Sequence, residues 1–124
     1  MKRQHPEDAL QAQVADYLDL CGLLWCHPPN GGKRGLIEAC RLKRLGVRAG
    51  VPDLLIFERW QSTDPETGGE GFGVALELKS PTGRATSEQR AWLDSLQARG
   101  WRVGICRTFD EARKLIDETR RQVR

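Results

Sequence analysis

The chain holds four cysteines, at 21, 26, 40 and 106, but no pair at the C-x-x-C spacing. Scattered singly through apolar surroundings, they argue against a structural zinc site and a disulfide framework, and they read as reduced, partly buried thiols. No apolar run approaches the roughly 20 residues that a membrane-spanning helix requires, and no signal peptide precedes the first helical pattern. Both absences point to a cytoplasmic protein without a membrane partner. No glycine-rich loop opens a helix after a strand, which removes the phosphate cradle of nucleotide hydrolases. Repeats and low-complexity segments are missing too. Strong charge of one sign is also lacking: a net charge of +3 permits a nucleic-acid partner without demanding one.

What is present fits one globular domain over residues 1–124, with 39% hydrophobic and 30% charged residues. The distribution of charge says more than its sum. Between Gly32 and Arg48, Lys33, Arg34, Arg41, Lys43, Arg44 and Arg48 face a single acid, Glu38, and the tail adds Arg120, Arg121 and Arg124. Such clustering supplies phosphate contacts or simply solvates a helix face. Helical spacing of Leu10, Val14, Tyr17, Leu18 and Cys21 predicts a first helix from Pro6 to about Cys21. A short strand over Leu23–His27 is expected next, ended by the turn residues Pro28-Pro29-Asn30-Gly31-Gly32. A second helix is expected from Leu36 to about Leu45, and Gln61 to Gly71 reads as a polar, flexible connection. Thr86 and Gln89, then Thr108 and Glu111, have capping-box spacing and should open the last two helices. Strand, helix, strand from Val74 to Cys106 suits parallel neighbours joined by a crossover, and the earlier strands have links short enough for antiparallel pairing. The expected architecture is α/β, a mixed four-stranded sheet flanked by helices.

Two acids interrupt apolar runs. Asp53 lies in Val51-Pro52-Asp53-Leu54-Leu55-Ile56-Phe57, and Glu77 lies 24 residues later in Val74-Ala75-Leu76-Glu77-Leu78-Lys79. An ionised group in a buried strand is expensive unless an ion or partner compensates it. Glu77 and Lys79 share a strand face, because side chains alternate with period two. Two carboxylates, the carbonyl of Leu78 between Glu77 and Lys79, and the Lys79 ammonium on one sheet edge make a candidate site for Mg2+ or Mn2+, which prefer oxygen ligands. Phosphodiester hydrolysis is the chemistry such a site serves: the ion activates water and relieves charge, and Lys79 holds or deprotonates that water.

Other residues stay open on this reading. Glu7 projects into the apolar stripe of the first helix, either as an acid favoured by the helix dipole or as a site residue. His27 is a general base or a strand-end residue. Asn30, Lys33 and Arg34, with the two intervening glycines, form a phosphate-binding turn or an ordinary one. Gln89 is a helix-capping residue unless its surroundings say otherwise.

Pro52-Asp53 with Glu77-x-Lys79 resembles the PD-(D/E)xK nuclease signature. More narrowly, Glu7–Gln11, His27–Arg34, Gly46–Asp53, Leu76–Lys79 and Ser87–Arg90 occur in the order found in the VRR-NUC family, the virus-type replication-repair nuclease domain. The resemblance implies a restriction-endonuclease-like fold and a Mg2+- or Mn2+-dependent endonuclease. It implies Asp53 and Glu77 as metal ligands, Lys79 as the catalytic lysine, Glu7 as an acidic site residue and Gln89 as a supporting one. The catalytic signature has no departure, and the absence of an appended domain resembles the stand-alone, phage- or prophage-type members. Those are associated with homodimers that cut branched DNA, notably four-way (Holliday) junctions. Lys43, Arg44 and Arg48, with Asn30, Lys33 and Arg34, are the expected DNA contacts. No base-reading helix is evident, so shape selection is expected over sequence selection. A flap or nicking endonuclease, or a DNA-binding module that kept the fold without the chemistry, are the alternatives.

Overall fold

The computed structural model of the protein describes residues 6–29, 35–66 and 68–120. In chain order it contains α1 (Pro6–Leu20), β1 (Trp25–Cys26), α2 (Leu36–Arg44), β2 (Leu54–Ser62), β3 (Gly69–Leu78), α3 (Ser87–Ala98), β4 (Arg102–Cys106) and α4 (Phe109–Arg120). The four strands form one sheet in the order β1-β2-β3-β4. The β1–β2 and β2–β3 pairs are antiparallel, and β3–β4 is parallel, joined through α3. The mixed four-stranded α/β sheet expected from the sequence is therefore present.

Strand alternation divides the sheet into two faces with different work. Leu54 and Ile56 of β2, Val74, Leu76 and Leu78 of β3, and Cys106 of β4 meet Val14 and Leu18 of α1 and Ala112 and Ile116 of α4 in one buried cluster. Each large aliphatic side chain removed from water there contributes about 1.5–3 kcal/mol. The opposite parity of β3 carries Ala75, Glu77 and Lys79, all buried, so the polar residues of the apolar run stand on the face away from α1 and α4.

Both capping predictions hold in kind. Gln89 N–H donates to Thr86 Oγ1 at 3.1 Å and Thr86 N–H donates to Gln89 Oε1 at 2.8 Å, a complete box at the start of α3. At α4, Glu111 N–H donates to Thr108 Oγ1 at 3.2 Å, while Glu111 Oε2 accepts from Arg107 N–H rather than from the cap residue.

Two expectations are corrected. The strand expected over Leu23–His27 shrinks to Trp25–Cys26, because Pro28 offers no N–H to extend the ladder. The connection expected over Gln61–Gly71 is shorter at both ends, because β2 runs to Ser62 and β3 starts at Gly69. Its polar composition suits a hairpin half exposed to water. Pairing is held where the Trp60 side chain crosses Gly71 and its Nε1–H donates to the Gly100 carbonyl at 3.2 Å. The cysteines also differ from expectation. Cys106 is buried, with its thiol pushed up to about 12 chiefly by burial, but Cys26 and Cys40 are exposed.

Gly50 fixes how α3 meets the segment before β2. Its φ is +87°, a left-handed backbone, and a Cβ there would lie 2.7 Å from the backbone carbon and the Cβ of Glu88. Trp92 Nε1–H secures the same contact by donating to the Ala49 carbonyl at 3.1 Å. Gly50→Ala is expected to destabilise the fold by about 3 kcal/mol, through left-handed strain and displacement of the α3 backbone. A urea midpoint unchanged from the parent protein would contradict this.

Candidate active site

The β2–β3 register brings the two acids together. Leu54 pairs with Leu76 and Leu55 with Ala75, so the same register places Asp53 opposite Glu77 just beyond the last ladder pair. Asp53 Oδ2 accepts the Leu78 N–H at 2.7 Å, and its carboxyl lies within hydrogen-bonding reach of Glu77. Lys79 Nζ stands 3.5 Å from Glu77 Oε2, confirming the shared face. The Glu77 side chain is 2% exposed and that of Lys79 10%, so both charges are shielded from water. β3 is held against β4 beyond its last pair by the Lys79 N–H, which donates to the Cys106 carbonyl at 2.9 Å.

Crowding of the carboxyls has an electrostatic consequence. Burial, then the charge of Asp53 and the hydrogen bond with it, pushes the Glu77 carboxyl up to about 8, against a smaller opposing pull from Lys79. Glu77 Oε1 is buried and has no hydrogen-bond partner. A lone pair left without a donor, beside a second carboxylate, is a cation-binding arrangement. Within an extended strand the N–H and C=O of one residue point to the same side. Since Leu78 N–H faces Asp53, its carbonyl faces that way too. Asp53, Glu77 and the Leu78 carbonyl thus fit a small oxygen-coordinated divalent ion. Among the described residues no group of three or more His, Cys, Asp or Glu side chains forms a metal site, which leaves the main chain and water to complete the shell.

The remaining candidates fall at different distances from this core. Glu7, at the start of α1, accepts the Ser80 N–H through Oε1 at 3.3 Å, so it reaches the turn directly after Lys79 and does not join the carboxylate pair. Gln89 uses its side-chain oxygen in the capping box, and its backbone rests against the Gly50 position, 2.9 Å from where a Cβ would stand. Lys43, Arg44 and Arg48 are exposed on α2 and the turn after it. Arg48 also closes the helix, donating to the Lys43 carbonyl at 2.7 Å. Asn30, Lys33 and Arg34, with Gly31 and Gly32, lie outside the described residues, as do Arg121 and Arg124.

Two residues have positions that sequence reasoning did not find. Arg107 Nη1 donates to the carbonyls of Ser80 at 2.7 Å and Gly83 at 2.5 Å. It clamps the turn that presents Ser80 N–H to Glu7. An arginine just after the last strand gives no sequence signal for this, because its partners lie 24 and 27 residues earlier. His27 Nδ1 lies 2.6 Å from the Asp53 carbonyl, which only a donor N–H satisfies. Its proximity to the proline pair suggested a strand end and not the residue it holds.

An antiparallel β2–β3 pair extended by a parallel β4, with Asp53 cross-strand from Glu77-x-Lys79, has the arrangement of a PD-(D/E)xK nuclease domain. The sequence profile of the VRR-NUC domain matches residues 5–110, and the chain belongs to that family. Two solved structures share the fold. A VRR_NUC domain protein superposes with a TM-score of 0.71 at 22% identity, covering 95% of this chain and 90% of that one. A VRR_NUC domain superposes at 0.58 and 20% identity, covering 92% and 97%. Among curated proteins, the Fanconi-associated nuclease 1 homolog of Arabidopsis thaliana is 41% identical over 59 residues, 48% of this chain. The match spans 6% of that relative's length. No helix among the described residues is long and apolar enough to cross a membrane.

Proposed function

We propose that the protein is a Mg2+- or Mn2+-dependent, structure-selective DNA endonuclease that hydrolyses phosphodiester bonds in branched DNA such as four-way junctions. The observation that carries this reading is the pairing of half-buried Asp53 with buried Glu77, with a Glu77 oxygen lacking any donor and the Lys79 ammonium beside it. Asp53, Glu77 and the Leu78 carbonyl would hold the ion. Its contribution when bound is a lowered pKa for water and relief of charge on the transferring phosphate. The chain's own residues supply the rest. Lys79, fixed by Glu77 Oε2, directs a shielded positive charge to the reacting phosphate and holds the attacking water. Glu7 and Arg107 set the Ser80–Gly83 turn against the end of β3. The exposed cations of α2, Lys43 and Arg44, and Arg48 after it provide phosphate contacts away from the reacting bond.

Gel analysis with junction, flap, splayed and duplex substrates, each in Mg2+, Mn2+ and EDTA, tests the reading. Paired symmetric cuts on the junction, abolished by EDTA, are expected. Preferential cutting of the flap would replace the junction reading with a flap endonuclease.

A homodimer is part of the proposal, since a two-fold axis places two identical sites on symmetry-related strands. It is supported by α2, which buries none of its residues and leaves Leu36 80% and Ile37 87% exposed. Ile37→Asp is expected to halve the mass measured by sedimentation velocity and to convert paired junction cuts into single nicks. A parent protein that sediments as a monomer while still making paired cuts removes the dimer from the proposal.

A further inference from the structure

Asp53 is gripped from both flanking strands, and the β1 side of that grip is a side chain standing in for a missing backbone bond. Phe57 N–H donates to the Leu24 carbonyl at 2.8 Å, and Trp25 pairs with Ile56 and Cys26 with Leu55. Antiparallel ladders alternate hydrogen-bonded and non-bonded pairs. The bonded pairs on this register are therefore 24 with 57, 26 with 55, and next 28 with 53. At that third position the donor to the Asp53 carbonyl should be the N–H of residue 28, which is proline and has none. The His27 imidazole takes its place, with Nδ1 donating to the Asp53 carbonyl at 2.6 Å. From the β3 side, Leu78 N–H holds Asp53 Oδ2 at 2.7 Å.

We infer that His27 is a positioning residue of the active site, which fixes the Asp53 backbone so that its carboxylate stands cross-strand from Glu77. The inference rests on the metal-dependent nuclease reading and adds a residue to it. The bond also fixes the imidazole tautomer, with the proton on Nδ1. His27 is itself exposed, so its removal leaves the core intact. Substitution leaves the Asp53 carbonyl without its donor and the Pro52–Leu54 backbone free to rotate the carboxylate. Outer partners that orient ligands in this way typically change metal affinity or activity by about 10–100-fold.

Three variants separate this role from others. Asparagine places an amide N–H where Nδ1 stands, glutamine places one where Nε2 stands, and alanine places neither. Mn2+ binding measured by electron paramagnetic resonance, with kcat and KM on the cleaved junction, gives readouts that a general loss of folding does not imitate. His27→Ala is expected to weaken Mn2+ binding about 10-fold and to lower kcat comparably with little change in KM. His27→Asn should recover most of both losses, and His27→Gln should not. Wild-type Mn2+ affinity and kcat in His27→Ala, recovery by glutamine instead of asparagine, or a rise in KM alone would each overturn the inference. The 15N spectrum of the metal-free imidazole provides a separate arm: an unprotonated Nδ1 removes the tether whatever the cleavage assays show. Wild-type protein that neither binds Mn2+ nor cuts DNA, yet keeps a protonated Nδ1, defeats the nuclease reading and with it the positioning role.

Discussion

Lys79→Ala and Asp53→Asn are each expected to reduce metal-dependent cleavage by about a hundred- to a thousandfold, the range for removing one preorganised stabilising group from a water-excluded site. The two reach that loss differently. Lys79→Ala removes an ammonium held 3.5 Å from Glu77 Oε2 and leaves the carboxylate pair intact, so Mn2+ binding should survive. Asp53→Asn keeps an oxygen to accept the Leu78 N–H but loses a charge beside Glu77, so Mn2+ binding should weaken. Neither substitution touches the exposed cations Lys43, Arg44 and Arg48. DNA binding should therefore keep its affinity and its steep salt dependence in both variants. Cleavage within threefold of the parent in both would show that the reacting groups lie elsewhere.

That prediction uses residues already visible in the sequence, and the reason is local. Asp53 and Glu77 stand out because each interrupts an apolar run, and the shared face of Glu77 and Lys79 follows from strand period alone. The start of α3 was legible for a similar reason: a capping box is fixed by the spacing of Thr86 and Gln89. What stayed hidden depends on contacts distant in sequence. The β2–β3 ladder reaches into the polar stretch as far as the Ser62–Gly69 pair, where Trp60 lies over Gly71 and reaches Gly100. Glu7 had two readings on a helical wheel, and only the folded chain brings it to the Ser80 N–H, 73 residues away. His27 needed the register of β1 on β2 before its partner could be named. Gly50 reads as an ordinary turn glycine until α3 is seen against it.

The carboxylate pair also predicts an inverted pH dependence of stability for the metal-free protein. Glu77 titrates near its ordinary value of 4.5 when unfolded and at about 8 in the fold, raised by burial first and by Asp53 second. Between these values the folded protein holds a proton that the unfolded chain has released. The stability associated with Glu77 is fully present below about pH 4.5 and is lost as pH rises through 8. An interval of this size corresponds to on the order of 5 kcal/mol, or roughly a 15 °C fall in melting temperature. Cys106, pushed up to about 12, contributes only at higher pH and leaves this window to Glu77. In EDTA, melting temperature should therefore decline from pH 5 to pH 8.5, the reverse of a fold stabilised by ionised carboxylates. Glu77→Gln supplies a permanently neutral side chain of the same shape, so it should flatten the profile and be the more stable protein at pH 8.5. Adding Mn2+ should stabilise the parent most at high pH, where the pair is ionised, and should do little for Glu77→Gln. A parent profile in EDTA that is flat or rises over this range, or a Glu77→Gln profile with the parent's slope, would mean that the two carboxyls do not share one crowded, buried site.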